Sequence, residues 1–288
     1  MINILPARLV EPISKACEGK AVEEIRLRVA RPPQVITQSS DTIAEAAPFT
    51  RDEASELLER LCRHSVYAVE EELKRGYLTF EGGSRVGVCG RPVTEAGRVV
   101  RLTEVTGFNI RINREIIGCA ERIMGYLTEK GRPVSSLIAS PPAGGKTTLL
   151  RDISRCFSDG VGASAVKVAI ADERGEIAGC INGAPSFCVG TRTDVMEFAP
   201  KAQAIEMLVR LMSPDIIITD EIGGEGDSNA LAEAARCGVA VIASVHASSF
   251  EELIKRKAME SSIKEGVFKR VLMLRRSGSM LHISPLKL

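Results

Sequence analysis

The sequence predicts an α/β protein: a mostly parallel sheet wrapped by helices, preceded by a smaller α+β unit. Three observations carry that prediction. Beyond residue 116, continuous apolar runs of five or six residues alternate with helical stretches, the pattern of parallel strands covered on both faces. Before residue 115 the strands are short and alternate apolar with polar residues, with Gly-containing turns between them. The change of pattern falls near residue 115, so the 288 residues divide into domains at 1–115 and 116–288.

In the first unit, EEIRLRV (23–29) has the alternation of a half-buried strand, and QVIT after Pro32–Pro33 reads as its neighbour. Residues 51–64 form an amphipathic helix with Ala54, Leu57, Leu58 and Leu61 on one face. A second helix is expected at 66–74. Short strands follow at 77–80, 84–90, 98–103 and 108–112, with turns at Gly82–Gly83 and Glu95–Ala96–Gly97. In the second unit, IIGCAERIMGYL (116–127) reads as a helix. The apolar strands are VSSLIA (134–139), VKVAIA (166–171), DIIIT (215–219) and VAVIAS (239–244). Ligands bind such sheets at the carboxyl ends of the strands.

Composition narrows the function classes. Hydrophobic residues make up 44% and aromatics only 4%, with no Trp, so the core is expected to be aliphatic. No apolar stretch reaches the roughly 18 residues that cross a bilayer, and the N-terminus lacks the long apolar centre of a signal peptide. A soluble intracellular chain is the expectation. The net charge of +1 gives no global attraction to nucleic acid or anionic lipid. Residues 253–288 hold nine Lys+Arg against two Asp+Glu; that tail reads either as a solvated helix and strand face or as a contact for an acidic surface. The eight cysteines are scattered without a C-x-x-C pair, and the three histidines lie apart from them. Zinc is therefore not expected, and the thiols are expected to be reduced and mostly buried.

Residues 140–147, SPPAGGKT, almost spell the phosphate-binding loop G-x-x-x-x-G-K-[ST], with Ser140 where the first glycine belongs. Gly-Lys-Thr alone is weak evidence, but a strand precedes this loop and a helix follows it, as the motif requires. Without a Cβ, Gly145 lets backbone N–H groups close on a phosphate. Lys146 supplies a point charge, and Thr147 offers a hydroxyl to Mg²⁺. Ser140 sits at the strand-to-loop junction, where a Cβ is acceptable at negative φ. In SPDIIITDEI (213–222), Asp220 and Glu221 end an apolar strand and emerge on different sides. Asp220 suits a water-mediated Mg²⁺ contact, and Glu221 suits polarising an attacking water.

Two further clusters follow apolar strands: Asp172–Glu173–Arg174 after 166–171, and Ser244 with His246 after 239–244. His246 is either a phosphate or carboxylate contact or a structural histidine. Arg192, in VGTRTDVM, is either a phosphate contact or a loop cation.

From the phosphate loop through ADERGEIAG, TRTDV, SPDIIITDEIGG and ASVHA, the sequence resembles the RecA-like P-loop ATPases that power bacterial secretion and pilus assembly. More closely it is similar to the stage III sporulation AA family of endospore-forming bacteria. EEIRLRVARP, GGSRVGVCGRPV and NIRINRE look like that family's N-terminal segments. The resemblance implies Mg²⁺-dependent hydrolysis of ATP, with nucleotide bound by Pro142, Ala143, Gly144, Gly145, Lys146, Thr147 and Thr148. It implies catalytic roles for Glu221, Lys146, Glu173, His246 and Arg192, and metal contacts by Thr147 and Asp220. An acidic box corresponds to Asp172 and Glu173, and a histidine box to His246. It also implies a homo-hexamer whose site is completed by first-domain arginines, with Arg85, Arg91 and Arg111 as candidates. The expected partners are proteins of a membrane-embedded channel complex linking mother cell and forespore. The expected location is cytoplasmic, at the inner face of the membrane through such a partner. Ser140 departs from the family's loop and points to lowered affinity or turnover. Two other classes are compatible with the motifs: a nucleic-acid-binding P-loop ATPase, and a nucleotide-binding assembly protein with little hydrolysis. No nucleic-acid-binding module is recognisable after residue 250, so nucleic acid is not an expected partner.

Overall fold

Four apolar runs form the parallel centre of a seven-stranded sheet in the computed structural model. The structure describes residues 4–287, apart from 38, 63–68, 75, 81–83, 96, 113–114, 143, 182 and 278–279. The chain divides into two units, Met1–Asn113 and Arg114–Leu288.

The first unit runs α1 (Ala7–Ala16), β1 (Val22–Arg28), β2 (Gln34–Thr37), β3 (Asp41–Ile43), α2 (Arg51–Leu61), α3 (Glu70–Lys74), β4 (Tyr77–Phe80), β5 (Ser84–Glu95) and β6 (Arg98–Arg111). Its sheet has the order β3-β2-β1-β6-β5-β4, with every pairing antiparallel. One face carries Ile25, Leu27, Val35, Val86, Val88, Phe108 and Ile110, packed with Leu9 and Ile13 of α1 and Leu57 and Leu61 of α2. Thr50 starts α2 with a reciprocal cap: its hydroxyl accepts from the Glu53 N–H at 3.2 Å, and the Glu53 carboxylate accepts from the Thr50 N–H at 2.8 Å. The short strands expected at 84–90, 98–103 and 108–112 are parts of two long ones, β5 and β6. Register shifts at Cys89/Arg91 and Val93/Thr94 break the alternation there without ending the ladder. The turn at Gly82–Gly83, Ala96 and residues 66–68 of the expected second helix lie outside the described residues.

The second unit continues with α4 (Met124–Leu127), β7 (Thr128–Glu129), β8 (Arg132–Pro133), β9 (Ser136–Ser140), α5 (Lys146–Asp159), β10 (Val168–Asp172), β11 (Thr193–Glu197), α6 (Lys201–Met212), β12 (Ile216–Thr219), α7 (Glu225–Arg236), β13 (Ala240–His246), α8 (Phe250–Ile254), α9 (Lys257–Lys264), β14 (Arg270–Ser277) and β15 (Met280–Lys287). The sheet order is β11-β10-β12-β13-β9-β14-β15, parallel except for the final β14–β15 hairpin. Alternate residues of each central strand enter different cores. Ile217, Ala169 and Val241 pack with α6, α7 and α9; Ile216, Ile218, Ile170 and Ile242 pack with α5. Both faces being covered, these strands are mostly apolar, and the polar residues they carry are buried: Ser136 and Ser140 in β9, Asp172 in β10, Thr219 in β12 and Ser244 in β13.

The helix expected over 116–127 is broken up. Residues 117–120 form turns, a short 3-10 segment covers Glu121–Ile123, and α-helix appears only at Met124–Leu127. The Asp152 carboxylate takes the N–H groups of Gly118 at 3.1 Å and Ala120 at 2.7 Å, a local alternative to helical pairing. Asp152 also accepts from Arg155 Nε at 2.7 Å, and Arg155 reaches Glu121 at 3.0 Å. This network gives α5 a second buried face beside its apolar one. All eight cysteines are free, but fewer are buried than expected: Cys89, Cys188 and Cys237 are exposed and Cys119 and Cys180 half-buried. Among the described residues no helix is long and apolar enough to cross a membrane.

Asp152→Ala would strand the buried Arg155 and orphan two N–H groups. A destabilisation of about 3–5 kcal/mol is expected from the loss of a buried pair, read as a fall in the urea midpoint.

Candidate nucleotide site

Parallel strands deliver their carboxyl ends to one edge, and the motifs gather there. Ser140 pairs in register with His246, Ala243 with Thr219, and Thr219 with Ala171. The residues just past β9, β10, β12 and β13 therefore form one polar rim.

Ser140 ends β9, fully buried, and the chain turns through the loop into α5. Gly145 stands at the helix N-cap with φ of 86°, a left-handed conformation that a glycine adopts without strain. A Cβ there would meet nothing within 4 Å, and no side chain caps α5. The first N–H groups of a 14-residue helix are thus left for an anion. Gly144 is required for a different reason. A Cβ there would lie 2.2 Å from Ser140 Oγ and 2.8 Å from Ser140 Cβ. The serine that replaces the usual glycine therefore makes Gly144 obligatory.

Lys146 is only 5% exposed and folds back under the loop. Its ammonium donates to the carbonyls of Ser140 and Pro141 and to Ser140 Oγ, each at 3.3 Å, and meets His246 Nδ1 at 3.0 Å. Burial lowers its pKa, with Glu221 and Asp220 opposing. Since the ammonium is a donor, Nδ1 accepts and the ring proton sits on Nε2. That nitrogen faces Glu221 Oε1 at 2.8 Å, and Arg174 meets the other Glu221 oxygen at 2.6 Å. Burial pushes the Glu221 carboxyl up, but Arg174 and His246 overcome it and hold it below its usual range. The result is a continuous line of contacts, Lys146–His246–Glu221–Arg174, across the strand ends.

Asp220 lies beside this line, 2% exposed, with both carboxylate oxygens buried and without a hydrogen-bond partner among the described residues. The Lys201 ammonium approaches Asp220 Oδ1 to 3.8 Å. Burial pushes the Asp220 carboxyl up to about 6; Lys201 pulls it down and Asp172 adds to the rise. An orphaned carboxylate at a phosphate-loop edge fits a hydrated divalent cation, whose ordered waters would satisfy those oxygens.

Asp172 is buried and holds its own turn, accepting from the N–H groups of Glu176, Ile177 and Ala178 at 2.9–3.0 Å. Glu173 reaches the rim and faces Lys201 at 3.6 Å. Thr147 and Thr148 are half-buried in the first turn of α5, Pro142 is exposed, and Ala143 lies outside the described residues. Arg192 is not brought to the rim. It precedes β11 at the opposite edge, where its N–H donates to Ser158 Oγ at 2.6 Å and its guanidinium to the Ser158 carbonyl at 2.9 Å. Ser158 closes α5, about 20 Å along the helix from Lys146. In the first unit, Arg85 lies over the Tyr77 ring at 5.1 Å, Arg91 faces Glu104 at 3.4 Å, and Arg111 faces Glu24 at 3.6 Å. The sequence reading did not single out Lys201; its only signal was a lysine opening a helix.

A Gly-Lys-Thr loop between strand and helix, with an acidic strand end beside it on one edge of a parallel sheet, gives the P-loop NTPase fold. Solved secretion and pilus ATPases share the fold. The Legionella pneumophila ATPase DotB matches with a TM-score of 0.63 at 14% identity, covering 98% of this chain and 81% of that one. The pilus retraction motor PilT, solved with bound ADP, matches at 0.64 and 15% identity, covering 98% and 83%. The sequence pattern of the family described as "Sporulation stage III, protein AA" matches residues 2–285. Stage III sporulation protein AA of Bacillus subtilis (strain 168) is 42% identical over 278 residues, 96% of this chain and 90% of that protein. The chain belongs to the stage III sporulation protein AA family.

Two outcomes follow from the geometry. Gly144→Ala should weaken nucleotide binding about tenfold or more, as overpacking displaces the loop. Adding Ser140→Gly should recover part of that loss, measured by titration with a fluorescent nucleotide. For Asp220, the unfolded chain titrates near 3.9, while the folded carboxyl is pushed up to about 6. Stability that is full below the lower value is lost as pH rises through the upper one. Asp220→Asn should abolish this loss and gain roughly 1–3 kcal/mol over the wild type between pH 4 and 7, seen in urea melts without Mg²⁺ or nucleotide.

Proposed function

We propose that this chain binds and hydrolyses ATP as a motor of the secretion-ATPase type, acting on a membrane channel complex during endospore formation. The observation that carries the reading is the Lys146–His246–Glu221–Arg174 line beside Asp220, whose buried oxygens have no hydrogen-bond partner among the described residues. The family supports the sporulation context and the fold supports the motor class.

In this reading the N–H groups of the loop and of α5 bind the phosphates, and Lys146 turns from the Ser140 and Pro141 carbonyls toward them. Thr147 and Asp220 would hold Mg²⁺, which when bound supplies charge neutralisation at the phosphates. Glu221, ionised and anchored by Arg174, accepts a hydrogen bond from the attacking water. His246 fixes the Glu221 carboxylate through its Nε2–H, and Glu173 stands at the rim beside Lys201. A homo-hexamer would bring Arg85, Arg91 or Arg111 to a nucleotide, and would work at the inner membrane face from the cytoplasmic side through protein contacts.

A second reading, a nucleotide-binding assembly protein with little hydrolysis, is favoured by one feature: Ser140 Oγ adds a contact that holds Lys146 away from the phosphate side. Phosphate release measured against nucleotide affinity separates the two. Glu221→Gln should keep ATP affinity within a few-fold and cut turnover by about 100-fold or more. Unchanged turnover would remove Glu221 from the chemistry, and a wild-type protein that binds ATP without releasing phosphate favours the second reading.

A further inference from the structure

Lys201 belongs to none of the motifs, yet it is the first residue of α6 and only 4% exposed. Two aspects of that position are unfavourable. A cation at a helix N-terminus opposes the helix dipole, and α6 has no acidic residue in its first turn to offset it. A buried ammonium also needs oxygen partners in place of water. Three stand around it: the Glu221 carbonyl at 3.0 Å, Glu173 Oε2 at 3.6 Å and Asp220 Oδ1 at 3.8 Å. They come from the ends of two neighbouring strands, β10 and β12.

Glu221 itself has φ of 37°, left-handed backbone that a non-glycine residue adopts only when its surroundings enforce it. It is held on both sides. Its N–H donates to Ser244 Oγ at 3.0 Å, and its carbonyl accepts from Lys201. In this conformation its carboxylate meets both His246 and Arg174.

We propose that Lys201 is a positioning residue of the site: its buried ammonium ties the acidic ends of β10 and β12 together and locks Glu221 in the backbone conformation that presents its carboxylate to His246. The effect on turnover rests on the ATPase reading above; the effect on Glu221 geometry does not.

The test uses the full chain with ¹⁵N-labelled imidazoles. There are three histidines, and His246→Asn assigns the relevant signal. Lys201→Met keeps the apolar stem and removes the charge. It should shift the His246 Nε2–H resonance away from its wild-type, Glu221-bonded position. Turnover should fall about tenfold or more, while nucleotide affinity, set by the Lys146 loop, stays within about threefold. Added to Glu221→Ala, Lys201→Met should cost no further turnover, because the two act through one group. If Lys201→Met does not fold, Lys201→Gln carries the same test. An unchanged His246 signal, or a full additional loss on the Glu221→Ala background, overturns the proposal. Absence of hydrolysis in the wild type overturns the ATPase reading instead, and the His246 signal still decides the role of Lys201.

Discussion

The burial of one ammonium, that of Lys146, is the constraint on which the candidate site at the strand ends depends. A lysine at 5% exposure must find acceptors inside the protein. It finds two carbonyls and a hydroxyl at the turn out of β9, and an imidazole from the neighbouring strand β13. Those acceptors exist because Ser140 and His246 stand in register across two parallel strands. The same contact orients the imidazole, and the imidazole in turn presents a donor to Glu221. One desolvated charge thus organises side chains from α5, β13 and the end of β12.

The buried charges of this unit divide into satisfied and poised groups. Asp152 and Arg155 satisfy each other and close the turn before α4. Asp172 is consumed by three backbone N–H groups of its own turn. Asp220 is different: among the described residues its oxygens have no hydrogen-bond partner, and the Lys201 ammonium stands 3.8 Å away. An uncompensated carboxylate costs stability, and such a cost persists where function uses it. The strained Glu221 backbone adds a second local cost at the same strand end. Both sit within reach of Lys201, which is what makes that lysine more than a surface cation.

Ser140 changes meaning once the loop is seen in three dimensions. At the strand end its backbone is ordinary, so the missing glycine leaves the path of the chain intact. Its side chain instead fills the space beneath Gly144 and contributes a ligand to Lys146. The departure from the usual loop is therefore a matter of packing and of the resting position of the lysine, not of chain geometry.

The sequence alone determined the α/β class and the parallel strands through period and composition, and spacing marked a candidate phosphate loop and acidic strand end; spacing left His246 open, and its place in the site came from the family resemblance. It overread the helix at 116–127, since nothing local reveals that Asp152, more than thirty residues on, will take two of its N–H groups. It cut β5 short at residue 90 and split β6 into 98–103 and 108–112, because register shifts interrupt alternation without ending a strand. It placed Arg192 among candidates by its neighbours in sequence, whereas strand direction sends it to the other edge of the sheet. Only the tertiary structure decided that Lys146 meets His246, that Asp220 has no hydrogen-bond partner among the described residues, and that Lys201 joins two strand ends. These are contacts between residues 20 to 100 positions apart, set by sheet order and register, which sequence spacing does not encode.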